Sequence, residues 1–313
     1  MTNQNKPNQM KKIVAAVGEL LWDLLPGGKV LGGAPANFIY RINSFGDLGQ
    51  LITRVGDDDL GDEALEQILQ LGLSERNIQV DPASPTGTVQ VKLNKQGIPD
   101  YSIHEHVAYD KLEATPAALE LVHHVDCVCF GTLIQRTEQA RDAVRQLLLA
   151  AKEATLFYDI NLRKDCYTKE IIEESLRLTD ILKINDEELI SLKEFLKLES
   201  DTLKDLAGEL ILNYHLQLVL GTLGEKGAFV LSNTGEYHYD PGYRVKLGDT
   251  VGSGDACSAG FIHQLLQGKS LEEALKFGNA TGAKVATTIG GTQPVSEEEI
   301  ETFRQKKHER IEM

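Results

Sequence analysis

Short apolar runs alternate along this chain with longer amphipathic stretches. The runs KIVAAV (12–17), LITRV (51–55), DCVCF (126–130), TLFYDI (155–160), DILKI (180–184) and LQLVL (216–220) have the length and residue types of buried β-strands. Between them, apolar positions recur at helical spacing over 34–45, 59–71, 137–153, 169–177, 186–196 and 201–214. Three further helices are expected over 254–267, 271–287 and 296–306. Strand and helix in alternation predict an α/β fold in three layers, a mostly parallel sheet with helices on both faces.

Two segments break this rhythm. Residues 20–31 follow the first strand without a helical period, and 86–109 alternate as strands (TGTVQVKLN, then DYSIHEHV) about a turn at KQGIPD. Both interrupt the sheet where strands should pass into helices. They are therefore expected to lie together as a small β-lid over the strand C-terminal ends, where open α/β sheets bind ligands. The exposed edges of such a lid would suit pairing with a second copy of the chain, a homodimer through the lid. With no internal repeat or long linker, residues 12–313 read as one domain, preceded by a polar, disordered tail over 1–11.

Composition narrows the functional classes. With 313 residues and 42% hydrophobic content the chain can build a large core. Its 32 Lys and Arg against 47 Asp and Glu give a net charge of −15, which argues against nucleic-acid and anionic-membrane partners. An anionic ligand must then be held by local features. Cys127, Cys129, Cys166 and Cys257 form neither a CxxC pair nor a zinc spacing, which fits a reduced cytoplasm. Residues 1–12 lack the apolar stretch of a secretory signal, and no apolar run reaches 18 residues.

The densest chemistry lies in GDTVGSGDACSAGFIHQLL (248–266). Gly252, Ser253 and Gly254 can turn successive N–H groups toward a phosphate at the mouth of the helix that follows. Asp255 in the first turn places a carboxylate beside that cradle. Together they suggest phosphoryl transfer, although glycine and aspartate also make an ordinary helix cap. GKS (268–270) is preceded by a helix and not by the glycine of a Walker A loop, and the dinucleotide fingerprint lacks its third glycine. HEH (104–106) has no further ligand cluster, and Cys257 reads as a packing residue.

Six motifs in order resemble the ribokinase-like (PfkB) sugar kinases, and among them the fructokinases. They are GELLWDLLPGG with GGAPANFIYRINSFG (18–28, 32–46), VGDDDLG (55–61), DINLR (159–163), KINDEE (183–188), TLGEKG (222–227) and GDTVGSGD (248–255). The resemblance runs from about Ile13 to about Gln293 and implies the ribokinase-like three-layer sandwich with a lid that closes on the sugar. It also implies ATP-dependent phosphorylation of a primary sugar hydroxyl, with fructose to fructose 6-phosphate favoured by GGAPAN. Ribose, 2-keto-3-deoxygluconate or a nucleoside are the alternatives within the family. A catalytically silent member of the family, binding sugar or a partner protein as a sensor, is the alternative of another class, though such a chain should have lost its base or its anion hole.

The same resemblance assigns roles. Asp255 is the base and the amides of Gly252, Ser253 and Gly254 are the anion hole; the family usually has alanine where this chain has Ser253, a harmless change if only the amide matters. Arg163 would add a cationic fork near the transferred phosphoryl group or the sugar, and otherwise reads as a surface ion pair. Asp23 and Asn37 would bind sugar hydroxyls, with Gly32 and Gly33 allowing close backbone approach; otherwise they are a lid turn and a helix surface position. Asn185 and Glu188 would hold the Mg²⁺–phosphate network, Glu188 through water, where the residues alone suggest an N-cap with acidic first-turn neighbours. Thr222, Gly224, Gly227 and Asn279 would line the nucleotide, Asn279 reading equally as a cap or surface group. Asp249 with the TTIGG loop (287–291) would surround K⁺.

Overall fold

The computed structural model describes residues 11–25, 27–93, 99–163 and 166–313. Apart from Lys11, the expected tail falls outside the described residues, as does most of the KQGIPD turn. No described helix is long and apolar enough to cross a membrane.

In chain order the elements are β1 (Ile13–Val17), β2 (Leu21–Leu25), β3 (Gly28–Gly32), α1 (Ala34–Ser44), β4 (Leu48–Gly56), α2 (Asp59–Gln70), β5 (Ile78–Asp81), β6 (Gly87–Leu93), β7 (Pro99–Ile103) and α3 (Pro116–Val122). There follow β8 (Cys127–Gly131), α4 (Glu138–Ala150), β9 (Thr155–Asp159), α5 (Lys169–Arg177), β10 (Ile181–Asn185), α6 (Asp186–Leu196), α7 (Leu203–Tyr214) and β11 (Leu218–Thr222). The chain ends with β12 (Ala228–Ser232), β13 (Tyr237–Asp240), β14 (Gly242–Tyr243), α8 (Ser253–Leu266), α9 (Leu271–Val285), α10 (Glu297–Gln305) and β15 (Arg310–Ile311).

The main sheet has the order β13-β12-β11-β10-β9-β8-β1-β4-β5. It is parallel from β11 to β5, and β12 and β13 close one edge antiparallel. Successive strand residues face opposite layers. Ala15, Val17, Val128, Phe130, Tyr158, Leu182 and Ile184 meet Leu147, Ile172, Leu189 and Leu210 of α4 to α7. Val14, Ala16, Cys127, Cys129, Phe157 and Ile181 meet Phe38, Ile39, Ile68, Phe261, Ile262 and Leu275 of α1, α2, α8 and α9. Asp159 and Lys183 share the strand parity of Phe157 and Ile181, so they face α8.

The two interrupting segments fold as a separate four-stranded sheet, β3-β2-β6-β7, in which only the β2–β6 pairing is parallel. It is rooted where β1 and β5 end at their C-termini. Asp58 ties this root to the main body: its carboxylate caps α2 at Gly61 and accepts from both the amide and hydroxyl of Thr86. Gly33 opens α1 at φ +121°, where a Cβ would lie 2.4 Å from the Glu19 carbonyl oxygen, so only glycine lets β3 turn into the helix there.

Candidate active site

The N-terminus of α8 opens at the strand C-terminal ends. Gly252 caps it in the left-handed conformation (φ 75°), with no side-chain cap. The N–H groups of Gly252, Gly254 and Asp255 have no partner among the described residues, and unpaired donors at a helix mouth attract an anion. Ser253 differs from the expectation for it. Its amide donates to the Thr250 carbonyl at 3.2 Å and its hydroxyl to the same oxygen at 2.8 Å, so this turn closes on itself.

Asp255 Oδ2 accepts a 2.9 Å hydrogen bond from Asn37 Nδ2 on the first turn of α1. Burial, reinforced by the like charge of Asp159, pushes the Asp255 carboxyl up to about 6, while Asn37, Lys183 and Arg163 oppose the shift. Asp23 is also raised by burial and held back by Arg163. Its Oδ2 lies 2.6 Å from where a Cβ on Gly32 would stand, so β2 and β3 bring the two residues together. The charge of Arg163, exposed beyond β9, thus bears on both Asp23 and Asp255.

Three groups beside these were not assigned from the sequence. Glu19, 6% exposed, lines with Asp159, Asp255, Asn161 and Thr132 a narrow open cleft. Burial pushes its carboxyl up to about 7, against the N–H groups of Glu19 and Ala34 and the Arg163 charge. Lys183 Nζ pairs with Asp159 Oδ1 at 3.0 Å, and Ser258 donates to the other oxygen at 3.1 Å. Burial would lower the Lys183 ammonium, yet Asp159 and then Glu188 hold it above its ordinary range. It lies 3.6 Å from the Cβ position of Gly254, beneath the amide cradle. All three stand in motifs noted above, GELLWD, DINLR and KINDEE, but nothing in one strand's sequence shows that its polar residue meets another strand's.

The remaining residues lie at the β10–α6 junction, in the turn after β11, on α9 and in the loop before α8. Asn185 and Glu188 form a reciprocal capping box on α6: Asn185 Oδ1 accepts from the Glu188 amide at 2.8 Å, and Glu188 Oε2 from the Asn185 amide at 2.9 Å. Glu188 Oε1 accepts from the Leu162 amide, fixing the segment that carries Arg163. Thr222 is in register with Asn185 on the adjacent strand. Gly224 is exposed in the turn that follows, whereas Gly227 is buried against the Asp240 carbonyl. Asn279 donates through one nitrogen to Asp240 Oδ2 (2.6 Å) and the Pro241 carbonyl (2.9 Å), which commits that group to packing β13 on α9. Asp249 accepts from the amides of Val251 and Gly290, joining the α8 loop to 287–291. Cys257 is buried, and its thiol is pushed up to about 12, as suits packing.

Comparison with known proteins places this arrangement. Residues 27–298 match the model of the pfkB family carbohydrate kinases. Fructokinase-2 of Solanum lycopersicum is 28% identical over 90% of this chain and 92% of its own. An uncharacterized sugar kinase of Pyrococcus horikoshii, solved in complex with ATP, superposes with a TM-score of 0.80 at 28% identity, covering 93% of this chain and 99% of its own. A Vibrio cholerae fructokinase double mutant, solved with fructose, ADP and potassium, shares the fold at a TM-score of 0.81 and 21% identity, over 96% of this chain and all of its own. On the extent of the family match, with the ribokinase-like fold beneath it, the chain belongs to the pfkB family of carbohydrate kinases.

Proposed function

We propose that this sugar kinase transfers the γ-phosphoryl group of ATP to the primary hydroxyl of D-fructose, forming fructose 6-phosphate and ADP. The observation that carries the reading is the Asn37–Asp255 bond at the mouth of α8, a carboxylate aimed by a polar side chain beside free main-chain donors. Asp255 accepts the proton of the hydroxyl as the new O–P bond forms and the bond from the γ-phosphorus to the β–γ bridging oxygen breaks. A base of modest strength suffices, because that hydroxyl acidifies only as the bond forms. The amides of Gly252 and Gly254, joined by Ser253 if its turn opens, stabilise the charge on the moving group. Arg163 adds its fork. Asp23 and Asn37 hold sugar hydroxyls against Gly32 and Gly33.

Thr222, Gly224, Gly227 and Asn279 form the nucleotide side in this reading, Asn279 through its packing on 240–241. Among the described residues there is no cluster of three His, Cys, Asp or Glu side chains that could hold a metal. A divalent ion, Mg²⁺ in this reading, would be carried by the ATP phosphates and waters, with Asn185 and Glu188 the residues that would support that network. It would neutralise phosphate charge. The Asp249 carboxylate and the Thr287 and Thr288 carbonyls, which approach Gly248, are oxygen donors suited to K⁺. The names of the plant and bacterial fructokinase relatives support fructose, and the exposed edges of the small sheet support a homodimer formed through it.

Coupled ADP release measured across fructose, ribose, 2-keto-3-deoxygluconate and a nucleoside tests the assignment. The highest kcat/KM is expected with fructose. A higher value with another member would move the substrate, and silence on all of them would favour the sensor.

A further inference from the structure

Arg41, one helical turn beyond Asn37 on α1, is fully buried. Such a guanidinium normally sits against a carboxylate, because burying an uncompensated charge is expensive. Among the described residues Arg41 makes no ion pair, and its Nε has no hydrogen-bond partner. Its other nitrogens instead grip three main-chain carbonyls of the segment joining α9 to α10. Nη1 donates to Val295 at 3.1 Å, and Nη2 donates to Gln293 at 2.9 Å and Gly291 at 3.3 Å. Burial draws the group down only to about 10, so it stays charged at neutral pH.

The gripped segment touches the site at two points. The Cα of Gly291 lies 2.4 Å from the Cβ position of Gly252, and a Cβ on Gly291 would stand 2.9 Å from Asn37 Cγ. Gly291 is therefore wedged between the cap of the amide cradle and the side chain that aims Asp255. A shift of this segment would move both at once. We propose that Arg41 is a positioning residue for phosphoryl transfer, holding Gly291 against Gly252 and Asn37 so that cradle and base keep their relative geometry. This role rests on the kinase mechanism given above.

The test compares wild type, Arg41→Lys and Arg41→Met as full-length proteins, by thermal unfolding and by kcat and KM for ATP and the preferred sugar. Misplacing reacting groups by about 1 Å can lower the rate about 10²-fold. Arg41→Met is expected to lose kcat on that scale with KM for ATP little changed, and millimolar guanidinium ion should restore part of it. Arg41→Lys keeps the charge but cannot span three carbonyls, so its kcat should fall between the two. It also stands in if the Met variant fails to fold. A folded Lys or Met variant with wild-type kcat overturns the role, even if its melting temperature drops. A wild type silent on every sugar would remove the kinase reading and this role with it, whereas an active wild type with undiminished variants removes this role alone.

Discussion

Asp255 and Asn37 act as one unit, and their variants should separate chemistry from binding. Asp255→Asn keeps the shape but removes proton acceptance, so kcat should fall by about 10²–10⁴-fold while sugar still binds. Equilibrium binding of sugar to that variant, measured beside turnover, checks the split; near-normal turnover would take Asp255 out of the mechanism. As the proposed base, Asp255 must be ionised, and burial has pushed its carboxyl up to about 6, so kcat/KM should decline as pH falls through that value. Asn37→Ala removes an N–H₂ donor that favours the ionised form. The sign is therefore fixed: the Asp255 carboxyl rises further and the acid limb moves to higher pH, together with a raised KM for sugar. A limb that stays still or moves to lower pH would mean that the Asn37 amide does not stabilise the carboxylate during turnover.

Between elements, the buried pair Lys183–Asp159 joins β10 to β9 beneath α8. Removing one partner strands a charge, so Lys183→Met should destabilise the fold by about 3–5 kcal/mol in urea unfolding. A loss under about 1 kcal/mol, the range of exposed pairs, would show that water reaches the site. This pair also marks where sequence reading stops. Helices of several turns are plain from the residues: α5 and α6 run over 169–177 and 186–196 as the spacing implies. Elements with too few residues to show a period are not. The seven-residue α3 and four-residue β5 fall in this class, and the edge hairpin β12–β13 follows a strand where a helix would keep the alternation. The site divides in the same way. Asp255 and the glycines announce themselves within one motif, whereas the meeting of Lys183, Asp159 and Ser258, or of Arg41 and the 291–295 carbonyls, joins residues 24 to 254 positions apart. Such contacts exist only once strand order and helix packing are set.

For the whole molecule, a net charge of −15 means that ATP approaches against the overall field, and in the proposed site it would be held by what α8, Arg163 and the strand ends provide locally. Both proposed substrates then meet at the C-terminal ends of one sheet, between its main body and the small sheet carrying Asp23. A sugar bound at the proposed site would tie these parts together in the folded state alone, so it should raise global stability by linkage. At a sugar concentration about 100 times Kd the gain is about 2.7 kcal/mol. Unfolding entropies of about 2.1 cal/mol/K per residue convert that, for a chain of this length, into a rise of about 4 °C in Tm. Fructose should produce this shift without ATP, in wild type and in Asp255→Asn alike, because the carboxylate is needed for transfer more than for holding the sugar. The Asn37→Ala variant should need more fructose to reach the same shift. A Tm indifferent to fructose at saturating concentration but responsive to another sugar of the panel would reassign the substrate while leaving the kinase chemistry in place.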